Sequence, residues 1–275
     1  MMNYLTLTKE NYDADLIIWP ESAITGIEPL STTQEFLDLA NRSASLNKSS
    51  IITGILNYNF ESRQSFNSLI VLGKKNRSDK TGGYFYNHKN RYYKNHLLPI
   101  GEFVPFGDIL RPLAPLFNLA QSSFTRGDYI QPNLVAQGLH ILPLICFEIA
   151  FPEQLAANFT NNTNMILTVS NDAWFGDSHG PHQHLEIARM RALEFARPVL
   201  RTTNNGITAI INHRGEIQHQ LPQFQELVLK GSVGLVSGIT PYKTIAPYIN
   251  WLLIAAYLAL FIIVCLFTRR ENKQT

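Results

Sequence analysis

Apolar residues in this chain fall into short unbroken runs, set between segments whose apolar positions recur at helical spacing. The opening NYLTLTKENYDAD reads as part of a helix and leads into LIIWPESAI, an apolar strand that stops at Pro20 with Glu21 at its C-terminal tip. TTQEFLDLANRSASLN is helix-like, and IITGILNYN and FNSLIVLG are strands, so the order is helix, strand, helix, strand, strand. The next stretch, YNHKNRYYKNHLLPIGEFVPF, is rich in basic and aromatic residues and holds Lys94 and Glu102. DILRPLAPLFNLAQ, apolar and broken by prolines, is expected to be a loop with short helices. HILPLICFEIAF is strand-like and runs into the helix-like PEQLAANF, which places Cys146 at a strand-to-helix elbow. MILTVSNDAW is a further strand ending in polar residues. It precedes a Gly- and His-rich loop and the helix HLEIARMRALEFA, closed by Pro198. PVLRTTNN and GITAIINHRGEI read as strands, the second turning at Asn212 to Gly215.

Many short strands alternating with helices argue for a layered α/β domain in which active residues collect at strand ends. The last apolar run is different in kind. From Tyr248 to Phe267 the chain reads YINWLLIAAYLALFIIVCLF, with no charge and about the 20 residues that cross a bilayer core as a helix. Tyr248 and Trp251 suit an interfacial anchor at one end. Arg269, Arg270 and Lys273 beyond the other end predict a cytoplasmic C-terminus and an external domain. A buried core helix is the competing reading, but such a helix normally keeps a polar stripe. The expected organisation is therefore a catalytic domain over 1–240, a transmembrane helix over 248–267 and a short basic tail over 268–275.

Composition narrows the function. With 45% hydrophobic and 16% charged residues, the 275-residue chain has enough apolar content for a well-buried core. A net charge of +2, with 23 basic residues scattered along the chain, excludes a nucleic-acid footprint, which needs a clustered basic face. Two cysteines, Cys146 and the membrane-run Cys265, do not make a disulfide framework. Cys146 alone in the domain is a nucleophile candidate, although a lone Cys is more commonly a buried structural residue. A thiol becomes a useful acyl carrier only with a base to take its proton and a cation or N–H to hold the oxyanion. Glu21 and Lys94, at or beside strand ends, have the right chemistry, while each alone is more often a solvated turn residue or surface charge. His179, His182 and His184 with Glu186 invite a metal, but their spacing matches no standard zinc motif. Asn171, Asp172 and Trp174 are expected to shape the pocket wall. Leu110, Leu113, Leu116 and Phe117 suit either a lipid-facing gate or ordinary core packing.

The wording around the three candidates carries a resemblance. WPESAI around Glu21, YYKNHLLPIGEFVPF around Lys94 and LICFEIAFPE around Cys146 resemble, in that order, the three motifs of the nitrilase (carbon-nitrogen hydrolase) superfamily. KNHLLPIGEFVPFG and SNDAWFGDSHGPHQHLEIARMRALEFARPVLRTTNNGITAIINHRG are most similar to its apolipoprotein N-acyltransferase family, from about Asp15 through Gly215 and again at the C-terminal span. That resemblance implies an αββα sandwich and an enzyme with no cofactor and no metal. It implies a phospholipid acyl donor, and as acceptor the terminal amine of a diacylglyceryl-modified apolipoprotein. It implies Glu21 as general base and acid, Lys94 as oxyanion stabiliser and Cys146 as nucleophile, with Glu102, Glu148 and the Phe147 backbone N–H in support. The location implied is the bacterial inner membrane, with the catalytic domain on the periplasmic side in full-length members.

Two departures from the family accompany this. Phe147 stands where the family commonly has Tyr, which removes a hydroxyl but keeps the backbone donor. Full-length members carry several N-terminal spans and a first core strand, and this chain begins in the helix after that strand, so it reads as a truncated domain. A lost core strand leaves unpaired neighbours and an opened core. Two alternatives stay open: a membrane-anchored amidase or nitrilase, in which water attacks the thioester, and an inactive fragment.

Overall fold

The computed structural model describes residues 1–80, 82–99, 101–103 and 124–271, with side chains to residue 266. Leu110, Leu113, Leu116 and Phe117 lie outside the described residues, as do Lys273 and the side chains of Arg269 and Arg270. In chain order the elements are α1 (Met2–Lys9), β1 (Leu16–Ile18), β2 (Ile24–Ile27), α2 (Ser31–Leu46), β3 (Ser50–Asn59), β4 (Gln64–Gly73) and β5 (Arg91–Tyr93). There follow β6 (Leu134–Ala136), β7 (Leu139–Ile145), a 3-10 turn (Cys146–Ala150), α3 (Pro152–Asn158), β8 (Thr163–Ser170) and a second 3-10 turn (Asp172–Phe175). The chain continues with α4 (Gly180–Phe195), β9 (Val199–Thr203), β10 (Ala209–Ile211), β11 (Ile217–Gln220), α5 (Pro241–Ile245) and α6 (Ile249–Glu271).

The strands form two sheets. One runs β1-β3-β4-β5, with β2 also pairing β3; the other runs β11-β10-β9-β8-β7-β6. β7, β8 and β9 are parallel neighbours, and β8 is buried along nearly its whole length, as a parallel strand covered on both faces must be. Side chains such as Ile52, Leu69, Val71, Ile141, Met165 and Leu167 fill the space between the sheets. α2 lays its buried stripe, including Phe36, Leu37, Ala40 and Ala44, against the outside of the first sheet. α3 and α4 cover the second sheet with Leu155, Leu185, Ala188, Ala192 and Phe195. The layers are thus helix, sheet, sheet, helix, the αββα sandwich the sequence led us to expect.

Three boundaries differ from the sequence reading. LIIWPESAI is not one strand. β1 pairs Leu16–Ile18 with Ser50–Ile52, the chain then leaves the ladder, and β2 resumes farther along the same side of β3. The detour is enforced locally. Pro20 has no N–H to give a ladder, Ser22 takes a left-handed φ of 52°, and Gly54 on β3 carries no side chain. A Cβ there would come within 2.4 Å of the Ser22 nitrogen and 2.7 Å of the Pro20 carbonyl. α4 ends at Phe195 with Ala196 as a left-handed cap, so Pro198 follows the stop instead of making it. The C-terminal helix continues to Glu271, past the expected end at 267.

β1 ends the path of its sheet, and its far edge borders a cavity of about 980 Å³ whose lining includes Leu7, Leu16, Ile18, Met165 and Leu200. From Pro241 to Leu266 the chain is helical and long and apolar enough to cross a membrane, with mean hydropathy 2.6 and none of its most apolar stretch buried. That exposure removes the core-helix reading, because Trp251, Leu253, Tyr257 and Phe261 all lie open.

Candidate active site

The site forms where strands of both sheets end. The detour between β1 and β2 lifts Glu21 out of the ladder and turns it toward the space between the sheets. Its Oε2 accepts the Asn171 N–H at 2.7 Å, its Oε1 accepts from Asn67 Nδ2 at 2.7 Å, and its backbone carbonyl accepts from Asn204 Nδ2 at 2.9 Å. Lys94 follows β5 directly and is clamped at both backbone ends, its N–H donating to Asn67 O and its carbonyl accepting from Gly127 N. Its ammonium, 1% exposed, lies 3.5 Å from Glu21 Oε1 and 2.8 Å from Glu102 Oε2. Glu102 is fixed from its own side by the Leu98 N–H at 2.8 Å. One ammonium therefore serves two carboxylates. Burial alone would depress the Lys94 pKa, but the charges of Glu21, Cys146 and Glu102 outweigh it and hold the group protonated.

Cys146 opens the 3-10 turn after β7 with a left-handed φ of 54°, a conformation that a residue with a Cβ keeps only when its surroundings impose it. Burial, then the charge of Glu21, push the thiol up to about 11, against the opposing pull of Lys94. Ser170, at the end of β8, also draws the thiol pKa down, although its hydroxyl donates to Asp172 Oδ1 at 2.6 Å. The resting group is thus a thiol at neutral pH, and a base must act on it before it attacks anything. The charge of Glu21 reaches both Lys94 and Cys146, and those two groups also act on each other.

The remaining candidates divide. Glu102 joins the charged group. Glu148, fully buried, instead braces the loops: it accepts the N–H of Ile145, Asn95 and His96 and the hydroxyl of Tyr92. It thereby ties the Cys146 turn to the segment after Lys94, and burial pushes its pKa up to about 7. Phe147 is 39% exposed and meets Phe151 edge-on, with ring centroids 5.0 Å apart. Asn171 contributes its backbone to Glu21, and Trp174 stands 75% exposed. Asp172 is not a wall residue, being 2% exposed and bound to Arg201, Ser170 and His184. The histidines are not gathered either: His184 binds Asp172 and the Cys146 carbonyl, while His182 faces Gln223. Sequence reasoning missed Asn67, Ser170, Arg201 and Asn204. Their trace in the sequence was polar residues within strands or at their ends.

The sandwich brings an acid, an ammonium and an elbow cysteine together at its strand ends, and comparison gives the family to which this fold belongs. Residues 1–238 match the family model described as carbon-nitrogen hydrolase, and the chain belongs to that family. Curated relatives narrow it further. The chain is 50% identical to the apolipoprotein N-acyltransferase of Vibrio parahaemolyticus, over 94% of this chain and 50% of that protein. It is 50% identical to that of Shewanella oneidensis over 100% and 51%, and 40% identical to that of Haemophilus influenzae over 98% and 50%. The chain thus spans about half the length of the curated relatives it matches. Among solved structures, Saccharomyces cerevisiae Nit3, a member of the nitrilase superfamily, aligns at TM-score 0.55 and 16% identity, over 81% of this chain and 78% of that one. The C. elegans NitFhit protein aligns at 0.60 and 15%, over 81% and 54%. At these identities they speak for the fold alone.

Proposed function

We propose that this chain carries the acyl-transfer site of an apolipoprotein N-acyltransferase, moving a fatty acyl group from a phospholipid to the terminal amine of a diacylglyceryl-cysteine. The observation that carries the reading is the meeting of Glu21, Lys94 and Cys146 in one buried site, in a chain half identical to relatives of that name. Glu21 takes the thiol proton as Cys146 Sγ attacks the ester carbonyl, and the negative charge moves to the carbonyl oxygen. Lys94 Nζ and the Phe147 N–H hold that oxygen. As the C–O bond breaks, Glu21 returns the proton to the departing lysophospholipid, leaving a thioester. In the second half the amine attacks the thioester, Glu21 accepts its proton, the C–S bond breaks, and the sulfur regains a proton from Glu21. A thiol that rests protonated makes the base indispensable, and two carboxylates around one ammonium leave Glu21 free to exchange a proton while Glu102 keeps Lys94 charged.

In this reading α6 spans the inner membrane, the sandwich lies on its periplasmic side, and Tyr248 and Trp251 sit at the interface. The test is intact-mass spectrometry of the detergent-solubilised chain after incubation with phospholipid, beside Cys146→Ala and Glu21→Ala. A hydroxylamine-sensitive acyl adduct on the wild type alone is expected. A folded wild type without an adduct sinks the reading, and release of free acid from small amides would favour the hydrolase alternative.

A further inference from the structure

The peptide joining Cys146 to Phe147 is one rigid plate. In a planar trans peptide the carbonyl and the following N–H point in opposite directions, so whatever fixes the Cys146 carbonyl also aims the Phe147 N–H. The plate opens a 3-10 turn, where the first N–H groups have no carbonyl behind them and stay available to a ligand. Cys146 itself is held in a left-handed conformation, so the plate's direction depends on an outside restraint.

That restraint is His184. Its Nε2 lies 3.1 Å from the Cys146 carbonyl oxygen; such an oxygen only accepts, so Nε2 carries the proton and donates. Its Nδ1 lies 3.2 Å from both Asp172 Oδ1 and Arg201 Nη2. Asp172 receives Arg201 Nη2 at 2.5 Å and Ser170 Oγ at 2.6 Å, and Arg201 Nε donates to the Ile207 carbonyl at 3.1 Å. His184, Asp172 and Arg201 are 7%, 2% and 1% exposed. The chain of contacts runs from β9 through the turn after β8 to α4 and ends on the nucleophile's own carbonyl. Packing alone does not call for a buried arginine, carboxylate and imidazole in series, since such a network costs desolvation and is worthwhile only when fully oriented.

We propose that His184, oriented by Asp172 and Arg201, is the positioning residue of the oxyanion site: it aims the Phe147 N–H at the carbonyl oxygen under attack. By drawing on the Cys146 carbonyl, it also strengthens that N–H as a donor. None of the three residues touches the reacting atoms. The inference rests on the acyl-transfer reading of Cys146 and extends it to a histidine outside the acid, ammonium and thiol.

The full chain, reconstituted in vesicles of phosphatidylethanolamine and phosphatidylglycerol, supplies two readouts. Thioester formation, followed by intact mass, needs the oxyanion donor. Alkylation of Cys146 by iodoacetamide, a displacement at carbon, needs the thiolate but no oxyanion donor. His184→Phe should slow thioester formation about 10²-fold, through kcat with KM little changed, while alkylation stays within about threefold. His184→Gln places an amide N–H where Nε2 stood and should recover most of the rate, whereas His184→Asn, too short to do so, should not. The Gln and Asn pair carries the test if the Phe variant melts too low to assay. Thioester formation at the wild-type rate in His184→Phe, a parallel fall in alkylation, or no advantage of Gln over Asn would each overturn the proposal. A wild type that forms no thioester overturns the acyl-transfer reading itself, an outcome separable from a loss confined to the variants.

Discussion

Two buried glutamates on either side of β2, seven residues apart, have opposite fates. Glu28 is fully buried and accepts from Arg91 Nη1 at 2.8 Å, Arg91 Nη2 at 3.0 Å, Asn57 Nδ2 at 2.7 Å and Tyr84 OH at 2.9 Å. Each of its oxygens takes one arm of a planar, bidentate guanidinium and one neutral donor, an arrangement that fixes geometry firmly. Glu21 has two short bonds, from Asn67 and the Asn171 N–H, and a looser 3.5 Å approach to a lysine it shares with Glu102. A carboxylate with both oxygens doubly engaged, by Arg and by neutral donors, is a lock. One left partly satisfied beside a point-charge ammonium is the one that the proposed reaction asks to take up and return a proton. Burial is common to both; what separates them is how completely their partners use them.

Substitutions that exchange the two fates sharpen this contrast. The largest effect is expected at Glu21: Glu21→Gln should slow thioester formation by about 10² to 10⁴-fold. Its unfolding free energy should stay within about 1 kcal/mol, because Lys94 keeps Glu102 and a like-charge neighbour is removed; denaturant melts beside the acylation assay measure both. Arg91→Met should do the reverse in kind, costing about 3 to 5 kcal/mol of stability by stranding the buried Glu28 charge. Material that remains folded should still form thioester, and a chain as stable as wild type would show that Glu28 is no lock. A smaller effect concerns the thiol. The pH dependence of Cys146 alkylation should centre near 11, and Glu21→Gln should move it down toward the ordinary value of 9.0 by removing a charge that raises it. An unmoved midpoint would mean that Glu21 does not reach the sulfur. The smallest effect is at Glu148. Its folded pKa is raised to about 7 from 4.5, so the native state holds its proton more tightly than the unfolded chain. Stability should then fall as pH rises from about 4.5 to about 7 and level off above. Glu148→Gln should flatten that slope.

Much of the frame was legible before folding. α2, β3, β4, β7, β8 and α4 are long enough for period to declare them, and the C-terminal helix declares itself by length and lack of charge. β2, β5 and β6, of three or four residues, are too short to show any period, and LIIWPESAI hid its own break because apolar residues flank the detour on both sides. The triad candidates were readable from their flanking motifs. Asn67, Ser170, Arg201 and Asn204 were not, since a polar residue in a strand or at its end looks the same whether it faces a turn, a partner or a nucleophile. His184 drew attention only as one of three nearby histidines whose spacing fits no standard zinc motif; helix α4 turns it to the buried face while His182 faces Gln223.

The sequence by itself determined which residues have reactive chemistry, that they stand near strand ends, and that the last helix has an apolar surface all round, because these follow from side-chain type and local period. The tertiary structure alone decided their working state. Glu21 meets Lys94 across 73 residues of chain, and the thiol's raised pKa is set by burial and field together. The carbonyl of Cys146 is held by a histidine 38 residues away. Charge, hydrogen bonding and desolvation act through space over a few ångströms, and only the packing of one sheet on the other brings those groups within that distance.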